Sequence, residues 1–179
     1  MSFRPIQTVY KGYKFRSRTE ARYAVFFDTM RTRWQYEPEG FNIAHEGEEI
    51  NYLPDFWLQD LGVWIEIKGT PPKPQEELKA RLLAMETGAP VYIFFGGVPM
   101  ADEMAENMEE SAFCYLPNGE FKKNCWFAKC PRCDRFGIVE FGKNVLLGCS
   151  HRLGPKIQSH DHRDLVAAYK AARQARFDT

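Results

Sequence analysis

Along residues 63–68 the chain alternates: Val63, Ile65 and Ile67 face one way and Trp64, Glu66 and Lys68 the other. That period predicts a β-strand. An apolar run at 52–58 precedes it, and the polar stretch Gln59-Asp60-Leu61-Gly62 between them predicts a hairpin turn. Upstream, Ser17-Arg-Thr-Glu20 opens a helix over 17–30 with Ser17 as N-cap and Glu20 at the capping-box position. Glu20, Ala24 and Phe27 lie on one stripe of it. Short strands follow at 34–36 and 41–44, then a polar turn at 45–49 holding His45. Downstream, 75–87 reads as a helix with Leu78, Leu82 and Met85 on its apolar stripe and Gly88 as its stop. Residues 90–95 read as a buried strand. Strand, helix, strand implies a right-handed crossover and a parallel neighbour for the 63–68 strand. The expected fold is therefore α/β, a mixed β-sheet core flanked by helices. A helix at 99–110 with Met100, Met104 and Met108, a strand at 112–116 and a helix at 164–177 complete the pattern. In the last, Leu165, Ala168, Tyr169 and Ala172 form the apolar face.

Composition adds bounds. The 179 residues suit one ordinary domain, or one domain with a small appendage, and 44% hydrophobic residues suffice for a core. Lys plus Arg (24) equal Asp plus Glu (24), so bulk charge gives no argument for nucleic acid. No apolar run is long enough for a membrane span, and the first residues carry no signal core, so a cytoplasmic protein is expected. Residues 1–16 interleave Arg4, Lys11, Lys14 and Arg16 with Tyr10, Tyr13 and Phe15, which suits either an edge strand or an arm tracking phosphates.

The hairpin carries the first candidate chemistry. Asp55 follows Pro54 on one strand, and Glu66 and Lys68 share the wet face of the other. Two carboxylates suit a hard divalent cation, Mg²⁺ or Mn²⁺, which keeps water and phosphate oxygens in its other positions. A lysine beside them can orient or deprotonate water, or neutralise charge on phosphate. Trp57 and Trp64 flank the motif as core residues or as stacking platforms.

Pro54-Asp55, a spacer and Glu66-Ile67-Lys68 resemble the signature of the PD-(D/E)xK nucleases. The resemblance covers about residues 10–96 and implies a restriction-endonuclease-like core. It implies Asp55 and Glu66 as metal ligands, joined by the Ile67 carbonyl, and Lys68 as the residue that positions or activates water. Because the family often carries a further acid on a preceding helix, it also implies Glu20 as a third catalytic acid that ligates the metal directly or through water, in competition with capping. The expected activity is Mg²⁺-dependent endonucleolytic hydrolysis of DNA. Compact enzymes of this kind are similar to phage or mobile-element nucleases, which would place the protein in the cytoplasm of a bacterial host, and a homodimer fits many of them. Two alternatives stand beside it: a non-catalytic DNA-binding module, and a protein that binds a host factor on a nuclease-like scaffold.

A second pattern starts late in the chain. Cys130-Pro-Arg-Cys133, two small strands at 136–141 and 144–147, and Cys149-Ser-His151 have the make-up of a tetrahedral Zn²⁺ site. Cys130, Cys133, Cys149 and His151 are the expected ligands of a zinc ribbon. Cys125 can replace His151, or His160 or His162 can reach in from the tail. A metal-free hairpin and a redox pair are the competing readings; Cys114 reads as a buried thiol. Arg132, Arg135, Lys143, Arg152 and Lys156 make the module basic and suited to duplex phosphates. The expected division is a nuclease core at 1–120, a zinc-ribbon module at 121–157 and a C-terminal helix at 158–179.

Overall fold

The structure is a computed structural model, described here for residues 5–99, 112–140, 146–149, 151 and 162–177. Its centre is a six-stranded sheet of β3 (Trp34–Tyr36), β6 (Phe56–Leu58), β7 (Val63–Lys68), β8 (Val91–Phe95), β9 (Ala112–Tyr115) and β10 (Phe121–Lys123), in the order β10-β9-β8-β7-β6-β3. β7 and β8 run parallel and every other pair is antiparallel. The parallel pair is joined by helix α2 (Pro74–Thr87), as the strand–helix–strand pattern requires. Three two-stranded ribbons attach to this frame: β1 (Thr8–Tyr10) with β2 (Tyr13–Phe15), β4 (Phe41–His45) with β5 (Glu48–Tyr52), and β11 (Cys125–Lys129) with β12 (Phe136–Glu140).

The sheet is covered on both faces, so β7 is buried almost along its length. On one face Val63, Ile65, Ile67, Tyr92 and Phe94 pack against α1 (Arg18–Thr29), the β11–β12 ribbon and α3 (Arg163–Gln174). Phe127 stacks on Phe94 with ring centroids 4.4 Å apart, and Phe26 of α1 stacks on Tyr169 of α3 at 4.5 Å. On the other face Trp64, Val91, Ile93 and Tyr115 meet Ile43 and the α2 residues Ala80, Leu83 and Ala84. The face that carries Glu66 is thus a second core, not a wet one.

Several expectations change. The run at 52–58 is not one strand: Tyr52 pairs with Phe41 in the β4–β5 ribbon, while Phe56 pairs with Ile65 in the main sheet. Pro54, with no N–H for a ladder, lies at the break. Helix α2 buries Ala80, Leu83 and Ala84, and Met85 of the expected stripe is exposed, so the buried stripe is rotated from the expected one. Phe121–Lys123 pairs with β9 and so extends the main sheet past residue 120. Cys125, Phe127, Ile138, Leu165 and Tyr169 belong to the same core as α1, so the segments after 120 pack as part of one body. β12 pairs with β11, and from the other side Leu146 bridges to Val139 while the Leu147 N–H donates to the Ile138 carbonyl; residues 144 and 145 of the expected second strand lie outside the described residues. The expected helix at 99–110 lies almost wholly outside the described residues, as do His160, Lys143, Arg152 and Lys156. Helix α3 buries Leu165, Ala168, Tyr169 and Ala172 as its pattern requires. No helix among the described residues is long and apolar enough to cross a membrane.

Candidate metal centres

The acidic site forms where the end of β7 passes the start of β6. Asp55 and Glu66 are 2% and 3% exposed. The amide N–H of Ile67 donates to Asp55 Oδ2 at 2.7 Å, so the side chain continues the ladder that Pro54 interrupts. The Asp55 N–H in turn points at Glu66 Oε2, 3.4 Å away. The two carboxylates are therefore neighbours on one side of the sheet. Lys68 Nζ lies 2.6 Å from Glu66 Oε1 and 3.3 Å from Glu76 Oε1 at the start of α2. The Tyr52 hydroxyl also bonds to Glu66.

Glu20 reaches the edge of this group but is held by local bonds. Ser17 Oγ donates to Glu20 Oε1 at 2.6 Å, and the Glu20 N–H donates back to Ser17 Oγ at 3.2 Å. Oε2 accepts from the Tyr36 hydroxyl at 2.6 Å and the Arg16 N–H at 3.1 Å. The cap and the approach to Asp55 are made by one side chain, because the N-terminus of α1 points at the site. Only two clusters of three or more metal-ligating side chains lie within mutual reach among the described residues, and Glu20, Asp55 and Glu66 are not one of them. Asp55 and Glu66 form a pair, with Glu20 standing off.

Sequence reading missed Arg16, which sits in the middle of the site. Its guanidinium lies 2.6 Å from Asp55 Oδ1 and 2.6 Å from Glu37 Oε1. The loop before α1 carries it there, and only the tertiary fold brings residue 16 to residue 55. Arg16 bridges Glu37 and Asp55, Lys68 bridges Glu66 and Glu76, and Glu20 has no ion pair among the described residues. Negative charge is in excess. Burial, and then the charges of Glu66 and Glu20, push the Asp55 carboxyl well above its usual value, although the Ile67 N–H and Arg16 oppose them. Burial pulls the Lys68 ammonium down, but Glu66, Asp55 and Glu76 outweigh it and the net shift is upward. An open cleft of about 330 Å³, bordered by Arg16, Tyr52, Glu66, Lys68, Glu76 and Lys79, gives access to the group. Trp57 and Trp64 pack on each other at 4.7 Å, with Trp64 buried against Phe41.

The thiolate cluster is built differently. The β11–β12 ribbon turns through Cys130 to Arg135, closed by Asp134 N–H to Cys130 O and Cys130 N–H to Arg135 O, both 2.8 Å. That turn places Cys130 and Cys133 together. Cys149 and His151 come from the segment after Leu146, which lies tight against Gly137. A Cβ there would stand 2.0 Å from the Leu147 carbonyl oxygen, so a side chain at 137 would push the second ligand pair away. Cys133 Sγ lies 3.4 Å from Cys149 Sγ, and His151 Nδ1 lies 3.3 Å from Cys149 Sγ and 3.6 Å from Cys130 Sγ. All four donor atoms fall within 4.8 Å of one another. Tetrahedral zinc with its ordinary bond lengths sets such edges at about 3.6–3.8 Å, so the donors fit that ion. The Arg132 and His151 N–H groups point at Cys130 and Cys149 sulfur, at 3.4 and 3.3 Å. Burial raises the Cys130 thiol, but the N–H groups of Arg132 and Cys133 and the neighbouring thiols bring it down to about 6.

The alternative ligands lie elsewhere. Cys125 is in the main core with its Sγ 3.7 Å from the Lys122 carbonyl. His162 caps α3, accepting from the Asp164 N–H at 3.2 Å. A second cluster, Asp134, His162 and Asp164, has Lys129 Nζ at 2.8 Å from both carboxylates, so a lysine already fills its centre. Arg135 donates to the Gly148 carbonyl at 3.4 Å and serves the turn, while Arg132 is exposed.

No protein family, curated protein or solved structure matches this chain. What the site can do rests on its own chemistry.

Proposed function

We propose that the protein is a metal-dependent nuclease that hydrolyses DNA phosphodiester bonds at Asp55, Glu66 and Lys68. The observation that carries the reading is the adjacency of two buried carboxylates beside a lysine at the edge of an open cleft. Buried carboxylates that crowd one another without enough counter-charge are a donor set for a hard cation, and the raised Asp55 value is the electrostatic sign of it. Asp55 and Glu66, with the Ile67 carbonyl, would hold Mg²⁺ or Mn²⁺. When bound, such an ion polarises a phosphoryl oxygen and acidifies water. Lys68 keeps its proton at neutral pH, given the upward shift. That shift comes from the same carboxylates that would hold the ion, so beside a bound ion Lys68 would orient or activate water, or neutralise charge on phosphate. Glu20 adds negative charge and anchors the Arg16 N–H and Tyr36 at the rim. Arg16 pairs with Asp55 and Glu37 at the rim of the cleft, where it would be placed to meet phosphate.

The Cys130, Cys133, Cys149 and His151 cluster is read in the same proposal as a structural Zn²⁺ site that fixes the tip of the β11–β12 ribbon. The test of catalysis is cleavage of duplex, branched and single-stranded DNA, and of RNA, in Mg²⁺ or Mn²⁺ against a chelator control. The wild type should cut at least one form, and Lys68→Ala and Asp55→Asn should not. No cleavage of any form by the wild type would sink the nuclease and leave a nucleic-acid-binding or protein-binding module.

A further inference from the structure

A second charged surface lies beside the acidic site, on the other side of the α1 N-terminus. Arg18 and Arg22, one turn apart on α1, face Arg173 and Arg176 at the end of α3 across a cleft of about 640 Å³. Gln174, Ala175 and Phe177 complete its wall, and among the described residues no carboxylate contributes to it. In a chain whose net charge is zero, four guanidinium groups without an acid among them are a local concentration of positive charge. They are not held apart by partners. The Nε–H groups of Arg18 and Arg22 are buried and have no acceptor, and neither residue, nor Arg176, forms an ion pair among the described residues. Arg173 alone is tied, donating from Nη1 to the Val98 carbonyl at 2.8 Å. Helices α1 and α3 pack on each other through Phe26 and Tyr169, which sets Arg18 and Arg22 of α1 opposite Arg173 near the end of α3, with Arg176 two residues past that end. Leaving buried guanidinium donors unmatched costs free energy, and an anion with several oxygens removes that cost.

We infer that this cleft binds the phosphodiester backbone of the nucleic acid whose scissile bond lies at Asp55 and Glu66. The inference rests on the nuclease reading for its substrate but not for its measurement. Arg16, Arg18 and Glu20 lie within about one turn of chain where α1 begins: Arg16 touches Asp55, Glu20 sits at the rim of the acidic site, and Arg18 opens the cleft. A strand crossing the α1 N-terminus therefore passes from one site to the other. Arginine is suited to this work because its planar fork pairs two phosphate oxygens at once and never loses its charge.

The test is binding of short labelled DNA by the full zinc-loaded chain in buffer without added Mg²⁺ or Mn²⁺, followed by fluorescence anisotropy over a salt series. Arg18→Gln with Arg22→Gln should weaken binding about tenfold near physiological salt, and flatten the slope of log K against log salt by about two for duplex DNA. Arg18→Lys with Arg22→Lys should keep most of the slope. Arg176→Gln, at an exposed position, guards against a folding defect and should by itself flatten the slope by about one. Unchanged affinity and slope in the glutamine variants would overturn the inference. So would complete displacement of DNA by millimolar inorganic phosphate at constant ionic strength, which would make the cleft a small-anion pocket. If the wild type cuts nothing yet these variants lose binding, the cleft stands and hydrolysis falls. If cleavage occurs and the variants bind normally, the reverse holds.

Discussion

Asp55 and Glu66 reach each other across long stretches of fold, whereas Cys130, Cys133, Cys149 and His151 meet through one ribbon turn and the short segment after it. The acidic pair depends on β6, β7, α1 and the loop that brings Arg16 in, and each of its oxygens already has a donor: Ile67, Arg16, Lys68, Asp55 or Tyr52. The thiolate cluster depends on Gly137 and two turns, and its sulfur and nitrogen atoms chiefly face one another. The first arrangement suits an ion that comes and goes with substrate, because internal cations can stand in for it. The second suits an ion that stays.

The sharpest way to break this contrast is to cross the two sites. Asp55→Asn should lower cleavage by about a thousandfold or more while one zinc per chain remains, since removing a transition-state charge partner typically costs two to three orders of magnitude and here a ligand is lost as well. Cys133→Ser should abolish bound zinc, measured by elemental analysis, while chelator-free Mg²⁺-dependent cleavage persists at reduced level. Loss of both properties in either variant would mean that the two centres are one functional unit.

Zinc removal should cost the full chain about 3 kcal/mol in denaturant unfolding, well below the roughly 10 kcal/mol or more that the ion supplies to isolated zinc fingers. The difference arises because Phe127, Ile138 and Cys125 of the ribbon are already buried against the main sheet. A chain that unfolds globally on zinc removal would show that the ribbon's packing depends on the ion. Gly137→Ala should act like a partial zinc loss, since its methyl group meets the Leu147 carbonyl.

The same locality decides what could be read from the sequence. The clustering of Cys130, Cys133, Cys149 and His151 was legible because their spacing along the chain nearly is their geometry. The alternation at 63–68 and the crossover to 91–95 were legible because periods of two and 3.6 report directly on strands and helices. Arg16, Glu37, Tyr36 and Tyr52 were not, since no local signal ties residue 16 to residue 55. The error over Tyr52 had a visible cause in Pro54, which separates two sheets rather than opening one strand. The α2 stripe misled because the helix buries the face of Ala80, Leu83 and Ala84, rotated from the one that Leu78, Leu82 and Met85 mark.

A smaller effect tests the electrostatic half of the comparison. The folded Asp55 pKa is raised above its ordinary value near 3.8. The stability this group contributes is therefore fully present below about pH 4, and is lost as pH rises through the raised folded value. The metal-free wild type should lose stability over that interval relative to Asp55→Asn. By neutral pH, in metal-free buffer, the stability difference should have moved toward the variant relative to its value below about pH 4. Added Mg²⁺ should stabilise the wild type and leave the variant unchanged. Glu76 and Asp60, whose values are lowered, contribute in the opposite direction, stabilising above their usual values. They are common to both proteins and cancel in the difference. A variant that is less stable than the wild type at every pH would show that Asp55 is a structural partner of Arg16 and Ile67 with no cation to receive.

The smallest expected effect separates Glu20 as a cap from Glu20 as part of the acidic site. Tyr36→Phe removes a buried hydroxyl that donates to Glu20 Oε2 at 2.6 Å and accepts from the Arg16 N–H at 3.0 Å. The Arg16 N–H retains Glu20 itself as an acceptor at 3.1 Å, so no donor is stranded. The loss should be about 1–2 kcal/mol, the ordinary size for a hydrogen bond to a charged group, read from urea midpoints at unchanged slope. The Ser17 bonds are untouched, so the start of α1 should keep its protection from hydrogen exchange. Where Glu20 serves only the cap, cleavage by Tyr36→Phe should equal wild type at temperatures well below melting. Where Glu20 belongs to the acidic site, the freed carboxylate should move and cleavage should fall several-fold with no change in zinc content. A double-mutant cycle with Glu20→Gln then measures how much of that fall passes through the one hydrogen bond.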